Sequence, residues 1–382
     1  MTLPPLQTVS TGLVVAVVGF FSSFPIVLQG LAAMGASPAQ ASSGLMAAAL
    51  SMGLTAIVIS LVSRQPASVA WSTPGAAFLA VSVAPAGGFA EAVGAFLLAG
   101  ALTVLAGLYR PLRQLAANVP LPLAHALLAG VLVHICAQPF LALATAPATA
   151  VPILLTWFLA GQLSRLFAVP AAVLMALALT LWPAGVPLRE ALLAAPVLTT
   201  PAFSLTSAFS LALPLFIITM ATQNSPGMAV LRGEGYPPRP RGFLSAVGLA
   251  SLASAPFGAP QTCLAAITSS LCAGPDSHPD PQKRYLSAVM AGLFYCAFGL
   301  FAALIIAVAA AAPPQTLEVL AGLALLGVFA NSANLALTEP KAREAAAITF
   351  LTTASGVTLL GLSGAVWGLA LGSIAYFVAH KR

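Results

Sequence analysis

Charge is what this chain has least of. Fourteen basic and eight acidic residues stand among 382, so 22 positions carry a formal charge, about 6% against roughly a quarter in an ordinary soluble domain. Such a chain cannot make a water-facing surface, which excludes a soluble enzyme. A net charge of +6 does not make it a nucleic-acid binder either, because the basic residues are scattered between apolar runs. Cysteine is scarce: Cys136, Cys263, Cys272 and Cys296 are the four. They lie in or beside apolar runs with no metal-type spacing, and small apolar packing residues are the plain reading. No His-Glu-x-x-His pattern and no glycine-rich Lys-Ser/Thr phosphate loop occurs, so neither zinc chemistry nor ATP-driven pumping is indicated and no cofactor is implied. The start, Met1 to Thr8, lacks a basic region ahead of the first apolar run, which therefore reads as a membrane span and not as a cleaved signal.

What is present is apolar: 60% of the residues are hydrophobic. A span needs about 20 apolar residues, so the chain has room for about fourteen, and the fold class expected is an all-α polytopic membrane protein. Runs bounded by Gly, Pro and charge fall at 8–30, 40–63, 71–84, 90–109, 120–137, 147–167, 169–183, 205–231, 242–256, 258–273, 285–311, 316–336, 343–361 and 363–379. The third and tenth are too short to cross alone as helices. With a cytoplasmic N-terminus, thirteen of the fourteen Lys and Arg residues fall on inside connections, and only Arg189, beside Glu190, falls outside. The positive-inside rule thus places both termini in the cytoplasm.

Two stretches repeat in kind. Ser22-Ser23-Phe24-Pro25 in the first run and Gln223-Asn224-Ser225-Pro226 in the eighth are polar stretches ending in proline. Two runs later come Trp71-Ser72-Thr73-Pro74-Gly75 and Pro256-Phe257-Gly258-Ala259-Pro260-Gln261. Seven spans per half start the second half from the opposite face, the pattern of inverted repeats at 1–195 and 196–382. Proline in a first helical turn, preceded by extended chain, reads as a broken half-helix beginning near mid-membrane. Ser72, Thr73, Gln261 and Thr262 beside these starts would satisfy freed backbone groups that lipid cannot. The alternative at either place is a proline-kinked, packed helix.

Two helix N-termini meeting at mid-membrane would make an anion site. Every acid, Glu91 and Glu190 among them, falls in or near a connection, whereas a cation carrier would be expected to bury a carboxylate. Candidate substrate-lining groups are Ser23, Gly75, Gly258, Gln223 and Asn224, the last two either facing substrate or bonding between helices. Phe24, Trp71, Phe257 and Phe329 could form an aromatic pocket or simply pack. His125 and His134 are nine residues apart on the fifth span, on opposite helix faces, so they cannot hold one metal; each is a packing residue or part of a proton relay. Glu91 is either a solvated span-end acid or a proton acceptor at the outer mouth.

The ordered set Gln223-Asn224-Ser225-Pro226-Gly227, Ala255-Pro256-Phe257-Gly258, Leu264-Ala265-Ala266-Ile267-Thr268 and Gly274-Pro275-Asp276-Ser277-His278-Pro279-Asp280-Pro281 resembles the benzoate:proton symporter family, related in fold to uracil and sulfate transporters. The resemblance implies a bacterial-type inner membrane and fourteen spans as two inverted sevens. It implies a core domain from spans 1–4 and 8–11 (about 8–109 and 205–311) and a gate domain from spans 5–7 and 12–14 (about 120–183 and 316–379). Substrate would lie between spans 3 and 10, with benzoate taken up together with a proton; a homodimer is compatible with it. In one place the chain departs from the family pattern: where Gly-Gly-His and a later Asn are usual, it has Gly258-Ala259-Pro260 and Cys263. The expected partners are thus a small organic anion, a proton and the lipid bilayer. The other reading on the same fold is a carrier or exchanger of a different organic or inorganic anion. An intramembrane enzyme would need a nucleophile–base pair or metal cluster at mid-depth, and the sequence offers neither.

Overall fold

The computed structural model describes residues 5–117, 120–165, 167–184, 193–359 and 362–380; Arg189, Glu190, Lys381 and Arg382 lie outside them. The first run becomes two helices, α1 (Leu6–Phe21) and α2 (Phe24–Ala33). Pro25 has no N–H to return to the preceding turn but suits a first turn, so the helix stops and restarts around Ser22 and Ser23. Helix α3 (Pro38–Ser63) opens on a capping box in which Ser37 and Gln40 satisfy each other's backbone N–H groups. Strand β1 (Val69–Trp71) leads into α4 (Thr73–Val81), and α5 (Gly88–Leu108), α6 (Arg110–Ala117), α7 (Leu121–Thr145), α8 (Pro147–Leu163) and α9 (Ala168–Ala184) follow.

The next element is one rod, Leu205–Gly233. Within it α10 (Leu205–Ser207), α11 (Leu213–Thr219) and α12 (Ser225–Gly233) are joined by π turns at Ala208–Ala212 and Met220–Asn224. Helix α13 (Pro240–Ser254) ends in a 3₁₀ turn, Ala255–Phe257, before strand β2 (Thr262–Leu264) and α14 (Ala266–Ala273). Then come α15 (Tyr285–Leu300), α16 (Ala302–Ala311), α17 (Thr316–Thr338), α18 (Arg343–Ala354), a small hairpin of β3 (Thr358–Leu359) and β4 (Leu362–Ser363), and α19 (Gly364–His380).

Among the described residues six helical stretches are long and apolar enough to cross a membrane, and α15–α16, bent by 57°, makes a seventh if counted as one crossing. The chain is a multi-pass helical membrane protein. Its outer faces agree: Leu54, Val58, Leu61 and Val62 on α3 are 46–82% exposed, an apolar stripe that water would penalise and lipid accepts. Lipid supplies no hydrophobic drive between helices, so contact depends on close backbone approach. Helix α3 packs on α15 where Gly53 and Gly292 meet, and a Cβ on Gly53 would stand 2.6 Å from the Gly292 carbonyl oxygen. Helix α5 lies on α13, α1 on α15 and α2 on α4, while α7 packs on α17 and α18, and α18 on α19.

Three expected boundaries move. The run 285–311 bends at Phe301. The run 343–361 is helical only to Ala354, because Ser355 and Gly356, the latter at φ +66°, turn the chain into the β3–β4 hairpin. The run 258–273 is helical only from Ala266, and that shift bears on the site.

Candidate substrate site

The third and tenth runs meet as a short antiparallel ladder pairing Val69 with Leu264, Ala70 with Cys263 and Trp71 with Thr262. Two further bonds extend it: Ser72 N–H donates to the Gln261 carbonyl (2.7 Å) and Ala265 N–H to the Ser68 carbonyl (3.1 Å). Helices α4 and α14 leave the ladder at opposite ends. Ladder order sets Ser72 opposite Gln261 and Ala265 opposite Ser68, so the two N-caps lie about four residues, roughly 13 Å, apart at the rise of extended chain. One carboxylate cannot touch both helix starts.

Those starts differ in their free hydrogen bonds. At α4 the Ser72 N–H goes to Gln261, Pro74 has none, Gly75 N–H is capped by Ser72 Oγ (3.2 Å) and Ala76 N–H goes to the Ser72 carbonyl. Thr73 N–H is what remains. Helix α14 has no side-chain cap at Ala265. Its Ser269 N–H returns to the Ala265 carbonyl, and among the described residues the N–H groups of Ala266, Ile267 and Thr268 have no acceptor. The Thr268 hydroxyl in the same turn is 5% exposed and unpartnered, and helical side chains tilt toward the N-terminus, over that turn. Three amides and a hydroxyl on the positive end of a helix can receive one carboxylate.

The rod braces both ends of the ladder. Thr219 Oγ1 bonds Ser72 Oγ (2.8 Å) and Asn224 Oδ1 accepts the Leu264 N–H (3.0 Å). Residues five apart on an α-helix point about 140° apart. The π turn, with Ser225 N–H on the Met220 carbonyl, brings positions i and i+5 together, so both side chains face the ladder. Gly227 lets the rod close in, since a Cβ there would meet Leu264 Cβ at 2.8 Å.

The sequence candidates divide accordingly. Asn224, fully buried, completes the ladder through Oδ1 and turns Nδ2 to Met220 Sδ (3.5 Å). Gln223 is half-buried, and its amide makes no hydrogen bond among the described residues. Thr73 is half-buried at the first position of α4, and Gly75 lies in the capped turn. Ser23 accepts the Trp71 indole N–H (2.8 Å) and donates to the Gly19 carbonyl, locking the break in the first span to the ladder. Phe24 and Trp71 are buried with Phe20 between them (ring centroids 6.1 and 5.1 Å), and Phe298 adds a further edge contact to Phe20. These rings form a wall behind the ladder. Phe257 and Phe329 join no ring contact among the described residues, so the aromatic group is Phe20, Phe21, Phe24, Trp71 and Phe298, of which the sequence reading picked out two.

Gly258 has a conformational role: at φ +89° it ends the 3₁₀ turn after α13. Gln261 is buried, donating to the Phe96 carbonyl (2.7 Å) with Oε1 unpartnered. Thr262 bonds Ser51 (2.6 Å), and its N–H goes to Ser251 Oγ. Both hold β2 in place. The half-helix expected near Pro260 instead begins at Ala266, because the five ladder residues Gln261 to Ala265 intervene. Ala266, Ile267 and Thr268 were missed, since an alanine pair without Ser, Thr, Asp or Asn gives no capping signal.

The histidines stand apart from the ladder on α7. His134 bonds the Ala354 carbonyl at the end of α18 (2.7 Å), and His125 is half-buried with Nδ1 unpartnered. Glu91 departs from the solvated reading. In the first turn of α5 it is 8% exposed, accepting from Gly87 N–H (2.7 Å), Ser207 Oγ (2.8 Å) and Ser204 Oγ.

Comparison with known proteins gives one family, two relatives and two solved structures. The family model described as "BenE: Benzoate membrane transport protein" matches residues 3–378. The chain is 36% identical over 381 residues to "Inner membrane protein YdcO" of Escherichia coli (strain K12), covering 99% of this chain and 97% of that one. It is 35% identical over 338 residues to the "Benzoate membrane transport protein" of Acinetobacter baylyi, covering 87% and 85%. Among solved structures, the transmembrane domain of the cyanobacterium bicarbonate transporter BicA superposes with a TM-score of 0.60 at 18% identity over 98% of this chain and 96% of that one. SLC26A9 gives 0.64 at 14% identity over 99% and 66%. At such identities these two show the fold alone.

Proposed function

Because this chain belongs to the benzoate membrane transport protein family, and so is a membrane transport protein and not an enzyme, we propose that it imports benzoate together with a proton by alternating access. The observation that carries the anion reading is the uncapped start of α14, three unpaired amides beside an unpartnered buried hydroxyl. The carboxylate rests there. Ile267, 67% exposed on that first turn, offers apolar surface to the ring, and Gln223 reaches toward it from the rod.

In this reading fourteen segments form two inverted sevens, 1–195 and 196–382, with the ladder at their crossing. The helices around the ladder form the core domain, α7–α9 and α17–α19 form the gate domain, and rocking of one against the other exposes the site alternately. Both termini face the cytoplasm of a bacterial inner membrane, as the basic residues direct. Cotransport of one proton with a monoanion is electroneutral, so a pH gradient drives it and voltage does not. The second reading, another small organic or inorganic anion, draws support from a site that is neutral and mostly backbone, with no side chain reserved for a ring.

The test is uptake of labelled benzoate into proteoliposomes with and without an inward proton gradient, against empty liposomes because neutral benzoic acid leaks. Accumulation abolished by a protonophore and competed by benzoate over acetate and bicarbonate supports the first reading. No uptake above leak by folded protein discards benzoate. Gln223→Ala should lower uptake while leaving folding intact, and wild-type transport in this variant removes Gln223 from the site.

A further inference from the structure

Glu91 is built into more than a helix cap. Capping α5 needs one carboxylate oxygen, and Oε2 on Gly87 N–H supplies it. The other oxygen turns across to the rod, where Ser204 and Ser207 both donate to it. The carboxylate also lines a cavity of about 350 Å³ with Ser82 at the end of α4, Thr206 and Ser210 on the rod, and Thr358 and Ser363 of the β3–β4 hairpin. The Ser363 hydroxyl is buried and unpartnered. The lining is thus hydroxyl-rich, and it adjoins the negative C-terminal end of α4.

No cation answers this charge among the described residues. Helices α4 and α11, the hairpin and the 3₁₀ turn Ala255–Phe257 carry no titratable group. Arg241 on α13 meets the opposite end of α5 at Gly107, and Arg113 of α6 caps the Ala106 and Gly107 carbonyls there. Arg110 belongs to that same end, and Arg232 to the far end of the rod. A buried carboxylate with water-sized access and no counter-cation is a group that a proton can neutralise.

We infer that Glu91 binds the coupled proton, an assignment that rests on the proton-coupled reading above. A carboxylate accepts from both serines, whereas a carboxylic acid must donate, so on protonation one serine hydroxyl reverses its bond. The rod that Ser204 caps and that carries Ser207 also carries Thr219 and Asn224, which hold the ladder. Helix α4 spans the same two places, from Ser72 to Ser82. Proton and substrate therefore act on the same two elements.

The test compares wild type with Glu91→Gln in proteoliposomes, measuring gradient-driven accumulation of labelled benzoate and, separately, exchange of labelled for unlabelled benzoate at equal pH. The expected result is accumulation at least about tenfold below wild type while exchange persists. Accumulation by Glu91→Gln equal to wild type overturns the assignment and leaves the symport reading standing. Exchange without gradient-driven accumulation in the wild type itself overturns the symport reading and this inference with it. Should Glu91→Gln lose both activities, Ser204→Ala with Ser207→Ala keeps the carboxylate but removes two donors to its ionised form. The pH midpoint of uptake then rises by roughly one unit, and an unchanged midpoint overturns the assignment.

Discussion

The two half-helices that leave the ladder have similar lengths and nearly opposite chemistry. At α4 the backbone is closed: Ser72 caps it, Pro74 lacks an N–H and the rod holds Ser72 through Thr219. At α14 the backbone is open, with alanines where a cap would be and a buried hydroxyl that has no partner. Two half-helices on one ladder need not make a symmetrical site. In the proposed reading one is the strut and the other the receptor, and what assigns the roles is which amides are already spent.

That contrast is open to attack in descending order of effect. Ala266→Pro should do most: Ala265 is already extended (φ −112°, ψ 120°), which suits a residue before proline, and proline is tolerated at the first helical position. The change removes one amide and leaves the helix. Benzoate affinity, read by scintillation proximity or calorimetry on the purified protein, should fall about tenfold, the worth of a hydrogen bond to a charged group; unaltered affinity would mean that α14 is not the receptor. Thr268→Val should weaken binding roughly fivefold without lowering the melting temperature, because the hydroxyl has no protein partner to lose. A drop in stability without loss of affinity would make it a packing residue.

Ser72→Ala should reverse that pattern. It costs the cap of α4 and the bond to Thr219, about 1 kcal/mol of stability, visible in a thermal melt, and affinity should move by less than about twofold. Pro74→Ala is the smallest and the most direct: it returns an N–H to α4, and if the closed end takes no part in carboxylate binding, affinity should stay within about twofold of wild type. A large gain would show that the two ends compete for the ligand.

Much of the architecture was legible because lipid imposes it. Apolar runs and the scarcity of charge follow from what a bilayer will accept. Pro74 marked α4 correctly, since it stands in the first turn of the helix it announces. Pro260 misled, because it precedes a strand and the helix begins six residues later at Ala266. Proline reports local φ and a missing donor, and both suit a loop as well as a helix start. Asn224 stayed open between substrate lining and a bond between segments for a related reason: a mid-span amide must face something polar, and sequence does not say whether that is a ligand or the Leu264 N–H. Glu91 was located by sequence, but its burial was not, since Ser204 and Ser207 lie more than a hundred residues away.

The π turns in the rod give this gene an unusual point of tolerance. Each turn holds one residue more than an α-turn closes over, and taking one out would leave an intact, equally apolar α-helix. Loss of a single codon within 220–223 would set Thr219 and the asparagine four positions apart, about 40° of rotation on an α-helix, so both would still face the ladder. One codon added there would instead turn them apart by about a further 100°, while composition, hydropathy and span length barely changed. The reading frame at this point can lose three nucleotides more safely than it can gain them.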